Sequence, residues 1–251
     1  MTDHILCDIS NRVMTITLNR PERKNALTRE MYGTIADNLA QADASDDIRA
    51  VVITGTADAF TAGNDIGDFT QKPPEGKQPV TRFLENISTA QTPILAAVNG
   101  IAVGVGLTML LHCDLVFASE EARFKAPFTS LGLVPEAASS LLLPNAVGMA
   151  WANDILLAGR LLTAQDAMSA GLTSRIYAPE ALLEETQKAA AAIAALAPTA
   201  VKQTKALIRA NRSAVSERMQ TEGDIFAKQL QSAEFKEAAM AFMQGRTPVF
   251  D

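Results

Sequence analysis

Apolar positions near the N-terminus fall on every second residue. Met14, Ile16 and Leu18 alternate with Thr15 and Thr17, the period of a half-buried strand, and Ser10-Asn11-Arg12 offers a turn that closes a hairpin with residues 5–9. Beyond Pro21 the period lengthens. Met31, Ile35 and Leu39 recur at four-residue spacing behind Thr28, a residue able to cap a helix. The apolar run 50–54 predicts a buried strand, and the alternation then repeats: a helix near 80–91, a strand at 94–98, a helix from about Val105 and a strand at 115–118. Such alternation implies an α/β domain with largely parallel pairing.

From Ala152 onward the pattern predicts mainly helix. Residues 189–197 are rich in alanine, and Pro198 breaks that helix before another over 199–210. Residues 215–244 also read as helical. There Phe226, Leu230, Phe235, Met240 and Phe242 give more apolar surface than a lone terminal helix buries, so a partner subunit is expected against it. The loop 70–79, with Pro73 and Pro74, is the expected mobile segment, and no linker is long enough to separate independent domains.

Composition narrows the function classes. In 251 residues, 48% are hydrophobic and 20% charged, which excludes a disordered or fibrous chain. With 22 basic against 28 acidic residues the net charge is -6, so there is no diffuse cationic field for nucleic acid or an anionic membrane. Residues 94–111 have nearly the length of a membrane span, but Gly100, Gly104 and Gly106 mark turns within it, and it reads as strand, turn and helix. Cys7 and Cys113 have no metal-ligand spacing, and His4 and His112 are the only histidines, so no metal site is expected. Acids interrupt the first residues before a signal-peptide stretch can build, and the expected location is cytoplasmic.

Four segments carry candidate chemistry. Arg20-Pro21-Glu22-Arg23-Lys24-Asn25 sets three cations in a loop of an acidic protein, which suits a phosphate ligand, although charge alone favours a solvated basic turn. Residues 59–66 read as a βα loop in which Gly63 lets backbone approach a ligand. Residues 99–106 read as a second glycine-bearing turn leading into an apolar helix, whose first N–H groups lack intrahelical partners and can meet a developing oxyanion. This is no dinucleotide fingerprint, because Met109 stands where a third small residue belongs. Glu136, behind Leu133-Val134-Pro135, is placed at a helix start, facing either an apolar wall or solvent. His112 reads as a buried histidine held by backbone, and Ser139 and Ser140 lack a nucleophile elbow.

In this order the segments resemble the crotonase superfamily, the enoyl-CoA hydratase/isomerase family, across nearly the whole chain. The resemblance implies a ββα spiral core over residues 1–195 and a helical trimerisation region over 196–251. It makes the 18–28 segment a coenzyme A loop, with Arg23 and Lys24 on the phosphates, and the stretch Ala62, Gly63, Asn64, Asp65 and Ile66 a substrate-binding segment. It assigns the two oxyanion-hole N–H groups to Asn64 and Val105. Hydratases of the family use two glutamates, at positions occupied here by Thr108 and Phe128. What remains is Glu136, in a segment similar to the peroxisomal type of delta-3, delta-2-enoyl-CoA isomerase, where the matching glutamate is the single base. The implied activity is a shift of the double bond of 3-enoyl-CoA to 2-enoyl-CoA, with coenzyme A as part of the substrate and no separate cofactor. The implied assembly is a homotrimer or a dimer of trimers. Other coenzyme A thioester enzymes on this scaffold, hydratase or hydrolase/dehalogenase-like, and a silent acyl-CoA-binding module are the alternatives.

Overall fold

A computed structural model describes residues 3–65, 67 and 76–250. Strands β1 (Ile5–Ser10) and β2 (Val13–Leu18) form the expected hairpin, closed by Asn11 and Arg12, both at positive φ. Two successive residues of that kind make the primed turn whose twist matches its strands. Helix α1 (Arg29–Ala44) starts at Thr28, whose side chain accepts from the Met31 N–H, and buries Met31, Ile35 and Leu39.

The chain then repeats one unit three times. A long strand is followed by a short one that leaves for a second sheet, and a helical segment follows later in the unit. The pairs are β3 (Ala50–Gly55) with β4 (Ala59–Thr61), β5 (Ile94–Val98) with β6 (Ile101–Val103), and β7 (Leu115–Ser119) with β8 (Arg123–Lys125). The helices are α2 (Pro79–Thr89), the four-residue α3 (Val105–Thr108) and α4 (Ser139–Leu156). Strand β9 (Leu162–Thr163), helix α5 (Ala164–Ala170), strand β10 (Arg175–Tyr177) and helices α6 (Pro179–Ala194), α7 (Pro198–Ile208), α8 (Arg212–Gln229) and α9 (Ala233–Gln244) follow. One sheet runs β1-β2-β3-β5-β7-β10, parallel after the hairpin, and the other runs β4-β6-β8-β9.

Both faces of the larger sheet are covered, as parallel pairing requires. Met14, Ile16, Val51 and Ile53 join α1 in the main core, and Val13, Val52, Leu95 and Phe117 meet Leu182, Ala190 and Ala194 of α6. The C-terminal helices are tied to this body by charge. Lys205 of α7, 6% exposed, donates to Asp114 at 2.7 Å and to the Thr92 carbonyl at 2.8 Å, and Arg209 donates to the same carboxylate at 3.1 Å.

Several expectations are corrected. The second sheet was not anticipated, because its strands have two or three residues and show no period. Residues 59–66 and 99–106 are therefore not plain loops but contain β4 and β6. Past one α-helical turn at Val105, the segment Met109–His112 is a 3₁₀ helix. Helix begins at Ser139, not near Ala152, with Pro144 inside and a kink at Gly148. The tail is two helices, divided where Ser232 caps α9 by accepting from the Phe235 N–H. Phe226, Leu230 and Phe235 rest on the chain's own core, which accounts for part of the surplus apolar surface without a partner, while Met240 and Phe242 remain exposed. Residues 70–75 of the loop expected to move lie outside the described residues. Among the described residues no helix is long and apolar enough to cross a membrane.

Candidate active site

The basic loop and the segment that follows β4 are zipped together. Ala62 N–H donates to the Lys24 carbonyl at 2.9 Å, Leu27 N–H to Gly63 at 2.8 Å, and Asp65 N–H to Leu27 at 2.9 Å. In this parallel bridge of Leu27 with Asn64, the two groups of Leu27 engage the neighbours of Asn64. The N–H of Asn64 itself therefore points to the opposite side. Fully buried Asn25 anchors the arrangement, accepting from Arg20 N–H at 2.8 Å and donating to the Thr56 and Ala59 carbonyls at 3.0 and 2.7 Å.

On that opposite side runs β6, paired parallel with β4 through Thr61 and Ala102. Two glycines allow the close approach. A Cβ on Gly63, where φ is +94°, would lie 2.9 Å from the Val103 carbonyl oxygen, and one on Gly106 would lie 2.6 Å from Cγ2 of Thr61. Gly104 spends its N–H on the Lys125 carbonyl and its carbonyl on Leu107 and Thr108. The N–H of Val105, first in α3, is left over. Among the described residues, neither the Asn64 nor the Val105 N–H has a hydrogen-bond partner. Backbone donors left open in this way are suited to an oxyanion.

Glu136 joins this arrangement through Thr108. That residue lies three positions after Val105, within the same helical turn, and its hydroxyl donates to Oε1 of Glu136. Glu136 stands three residues before α4, not at its first residue, and is partly buried. Desolvation pushes its carboxyl up to about 7, the Thr108 hydrogen bond works against that rise, and the charge of Glu222 adds to it. A carboxylate poised near neutrality is a competent proton acceptor. Phe128, at the other hydratase carboxylate position, is 5% exposed and belongs to the core. The reading of His112 holds: it is buried, its pKa falls to about 4 because burial disfavours the charged ring, and Nε2 lies 2.8 Å from the Ala137 carbonyl.

The three cations of the loop are not equivalent. Arg20 pairs with Asp65 at 2.5 Å and donates to the Ala26 carbonyl at 3.1 Å, holding the Asp65 carboxyl below its ordinary range. Lys24 pairs with Asp58, both exposed. The Arg23 guanidinium is exposed and makes no ion pair or hydrogen bond among the described residues, acting only at a distance on Asp65. Ala62 is half-buried, and Ile66 lies outside the described residues.

Two contributors were missed. Tyr32, 3% exposed, donates its hydroxyl to Oδ1 of Asn64 and fixes that side chain. A tyrosine in the first turn after the basic loop was the available signal. Glu222, far along the chain, offered none. A cleft of about 1210 Å³ lies elsewhere, lined by Leu141, Leu142, Thr204 and Ile208 among others, and neither Asn64, Val105 nor Glu136 borders it.

The enoyl-CoA hydratase/isomerase family profile matches residues 8–251. A crystal structure of an enoyl-CoA hydratase/isomerase from Pseudoalteromonas atlantica T6c is 55% identical, with a TM-score of 0.98 over 99% of this chain and 100% of that one. A probable enoyl-CoA hydratase of Rhizobium meliloti (strain 1021) is 35% identical, covering 98% of this chain and 97% of its own. Enoyl-CoA delta isomerase 2 of Rattus norvegicus is 37% identical over 82% of this chain and 54% of its own length. With its ββα units, two mixed sheets and helical C-terminal region, this chain has the crotonase fold and belongs to the enoyl-CoA hydratase/isomerase family of acyl-CoA enzymes.

Proposed function

We propose that the protein converts 3-enoyl-CoA to 2-enoyl-CoA, with Glu136 as the single base and the N–H groups of Asn64 and Val105 as the oxyanion hole. The observation that carries this reading is one carboxylate, raised to about 7 and held by Thr108, beside two unclaimed backbone donors. Glu136 as carboxylate takes a proton from C2 of the thioester. The electron pair of that C–H bond spreads through the adjacent double bond and carbonyl, giving a dienolate whose negative charge gathers on the thioester oxygen. Two N–H donors at that oxygen stabilise the charge where it develops. The same carboxyl returns its proton to C4, leaving the double bond between C2 and C3. No water is consumed.

Hydration would need a second group to activate water. The candidate positions carry Thr108, whose hydroxyl already donates its hydrogen bond to Glu136, and Phe128, which has no proton to exchange. Arg23 is the cation best suited to the coenzyme's phosphates, with Lys24 beside it, and Ala62 to Asp65 belong to the thioester end. A trimer or dimer of trimers would cover the exposed apolar residues of α7 and α9. Ultraviolet monitoring of purified protein with 3-enoyl-CoA and, separately, 2-enoyl-CoA tests the reading. Isomerisation far faster than hydration is expected, and comparable rates would overturn it.

A further inference from the structure

Helix α8 reaches back to the segment that carries Glu136 through a buried carboxylate. Glu222 is 5% exposed, and its Oε1 accepts from the Ser140 N–H at 2.9 Å, bridging 82 residues of sequence. Helix α4 has no cap of its own. Ala138 occupies the N-cap position, where a side-chain acceptor belongs, and both Ala137 and Ala138 lie in the left-handed region, with φ of 58° and 56°. Alanine is strained there, and the turn persists only if its surroundings hold it. The first helical N–H groups are nonetheless all engaged. Ser139 donates to the Glu136 carbonyl at 3.0 Å, Leu141 and Leu142 both to Ala138 at 2.9 Å, and Ser140 to Glu222. Glu222 thus supplies the acceptor that the local sequence lacks, and a negative charge where a helix N-terminus favours one. Its other oxygen, Oε2, is buried and has no partner among the described residues.

Of the other charges around this pair one cation stands close, and the rest are paired or neutral. Arg218, four residues earlier on α8, reaches Oγ of Ser140 at 3.4 Å. Of α4's residues only Asp154 is charged, and it pairs with Arg160. On α2, packed against α8, Arg82 pairs with Asp37 and Glu85 with Lys77. His112 is neutral above about pH 4 and holds Ala137. We propose that Glu222 is a positioning residue for Glu136: from the C-terminal helical region it clamps the strained turn 136–140 and sets a second negative charge against the base. This rests on Glu136 being the base. Left bare, the N-terminus of α4 would stabilise the Glu136 carboxylate and weaken it as a proton acceptor. A carboxylate already seated there cancels that effect, in line with the upward influence of Glu222 on Glu136.

The test follows the Glu136 carboxyl by carbon-13 NMR in protein labelled at glutamate, assigned with Glu136→Gln. Glu222→Gln keeps an acceptor for Ser140 and removes the charge. The Glu136 midpoint should fall by on the order of one pH unit, and the acid limb of kcat/KM should move down with it while KM stays within about twofold. Glu222→Ala, losing clamp and charge together, should also lower kcat, and Glu222→Gln should restore most of it. Should Glu222→Gln not fold, Arg218→Ala leaves Glu222 without its neighbouring cation and should move the midpoint upward. An unmoved midpoint in a folded variant overturns the proposal, since a merely structural residue would change stability alone. Because the NMR midpoint needs no substrate, a midpoint that moves in a protein without isomerase activity would sink the reaction and leave the coupling standing.

Discussion

Thr108 gives its hydroxyl proton to Oε1 of Glu136, and this bond joins the turn that begins at Val105 to the loop that leads into α4. The donor and the carboxylate come from different ββα units. Their relation therefore depends on the sheets that bring the units together, and a small change at Thr108 should reach the base directly.

Thr108→Val preserves shape and removes the donor. Since that hydrogen bond favours the charged carboxylate, its loss should raise the Glu136 pKa beyond about 7. The acid limb of kcat/KM should then move to higher pH, with the plateau at alkaline pH lowered less than activity at pH 7. A pH profile over the range 5 to 9 checks this, and a limb displaced downward would contradict it.

The same pKa has a consequence for stability that needs no substrate. Glu136 binds its proton more tightly in the folded chain, about 7 against an ordinary 4.5, so the stability linked to it is fully present below 4.5 and is lost as pH rises through about 7. Glu136→Gln removes the penalty. At pH 8 the variant should be more stable than the parent by on the order of 3 kcal/mol, and the advantage should vanish as pH falls to about 4.5 and below. Thermal melts at both pH values decide it, an equal Tm difference at the two being the adverse result.

Length and contact distance explain what could be read in advance. Strand β2 and helix α1 run long enough to display a period, and β3, β5 and β7 long enough to display an apolar run, so the sequence pattern finds them. Strands β4, β6 and β8 have three residues each, too few for alternation, and β9 has two, so the second sheet stayed hidden although its turns were visible as glycines. The start of α4 was obscured by two alanines in the left-handed region and by the absence of a local cap. Glu136 could be singled out at a helix start, but its role as base came only through the family resemblance, because its raised pKa comes from burial that no local pattern encodes. Tyr32 with Asn64 and Glu222 with Ser140 are contacts across 32 and 82 residues. The basic loop shows the converse: three cations in five residues look alike, yet Asp58 and Asp65 neutralise two of them.

That difference ranks the cations. Arg23→Ala should weaken acyl-CoA binding by about 1.5–3 kcal/mol if its contact is charge-assisted and partly desolvated, and the loss should shrink as salt is added. Lys24→Ala should cost less, since Lys24 must first be drawn from Asp58. Titration calorimetry with a non-reactive acyl-CoA measures both. Unchanged affinity at low salt in both variants would make this loop a solvated turn.

The exposed apolar surface of the C-terminal region has its own expected outcome. Leu207 and Ile208 of α7 are 79% and 78% exposed, and Phe242 and Met243 of α9 also face outward. Large apolar side chains at such exposure are what a subunit interface would cover. Sedimentation at micromolar concentration should give a trimer or a dimer of trimers, and Ile208→Asp should lower the mass towards that of one chain. A parent protein that sediments as a monomer would remove assembly from the proposal.

The functional reading depends most on Glu136, and Glu136→Gln tests it by separating proton transfer from binding. The amide keeps the side chain's size and can still accept from Thr108, but it cannot take a proton from C2. Turnover should fall by roughly 10²–10⁴, the contribution of a positioned base. Binding should survive, because the N–H groups of Asn64 and Val105 belong to the backbone and are untouched, so a non-reactive acyl-CoA should retain near-parent affinity. Exchange of the C2 proton with deuterium oxide must be lost together with isomerisation, since abstraction comes before reprotonation at C4. If exchange persists while isomerisation stops, Glu136 acts only in the second transfer and another group removes the first proton. If both continue at the parent rate, Glu136 is a bystander whose raised pKa reflects burial alone, and the base must be sought elsewhere.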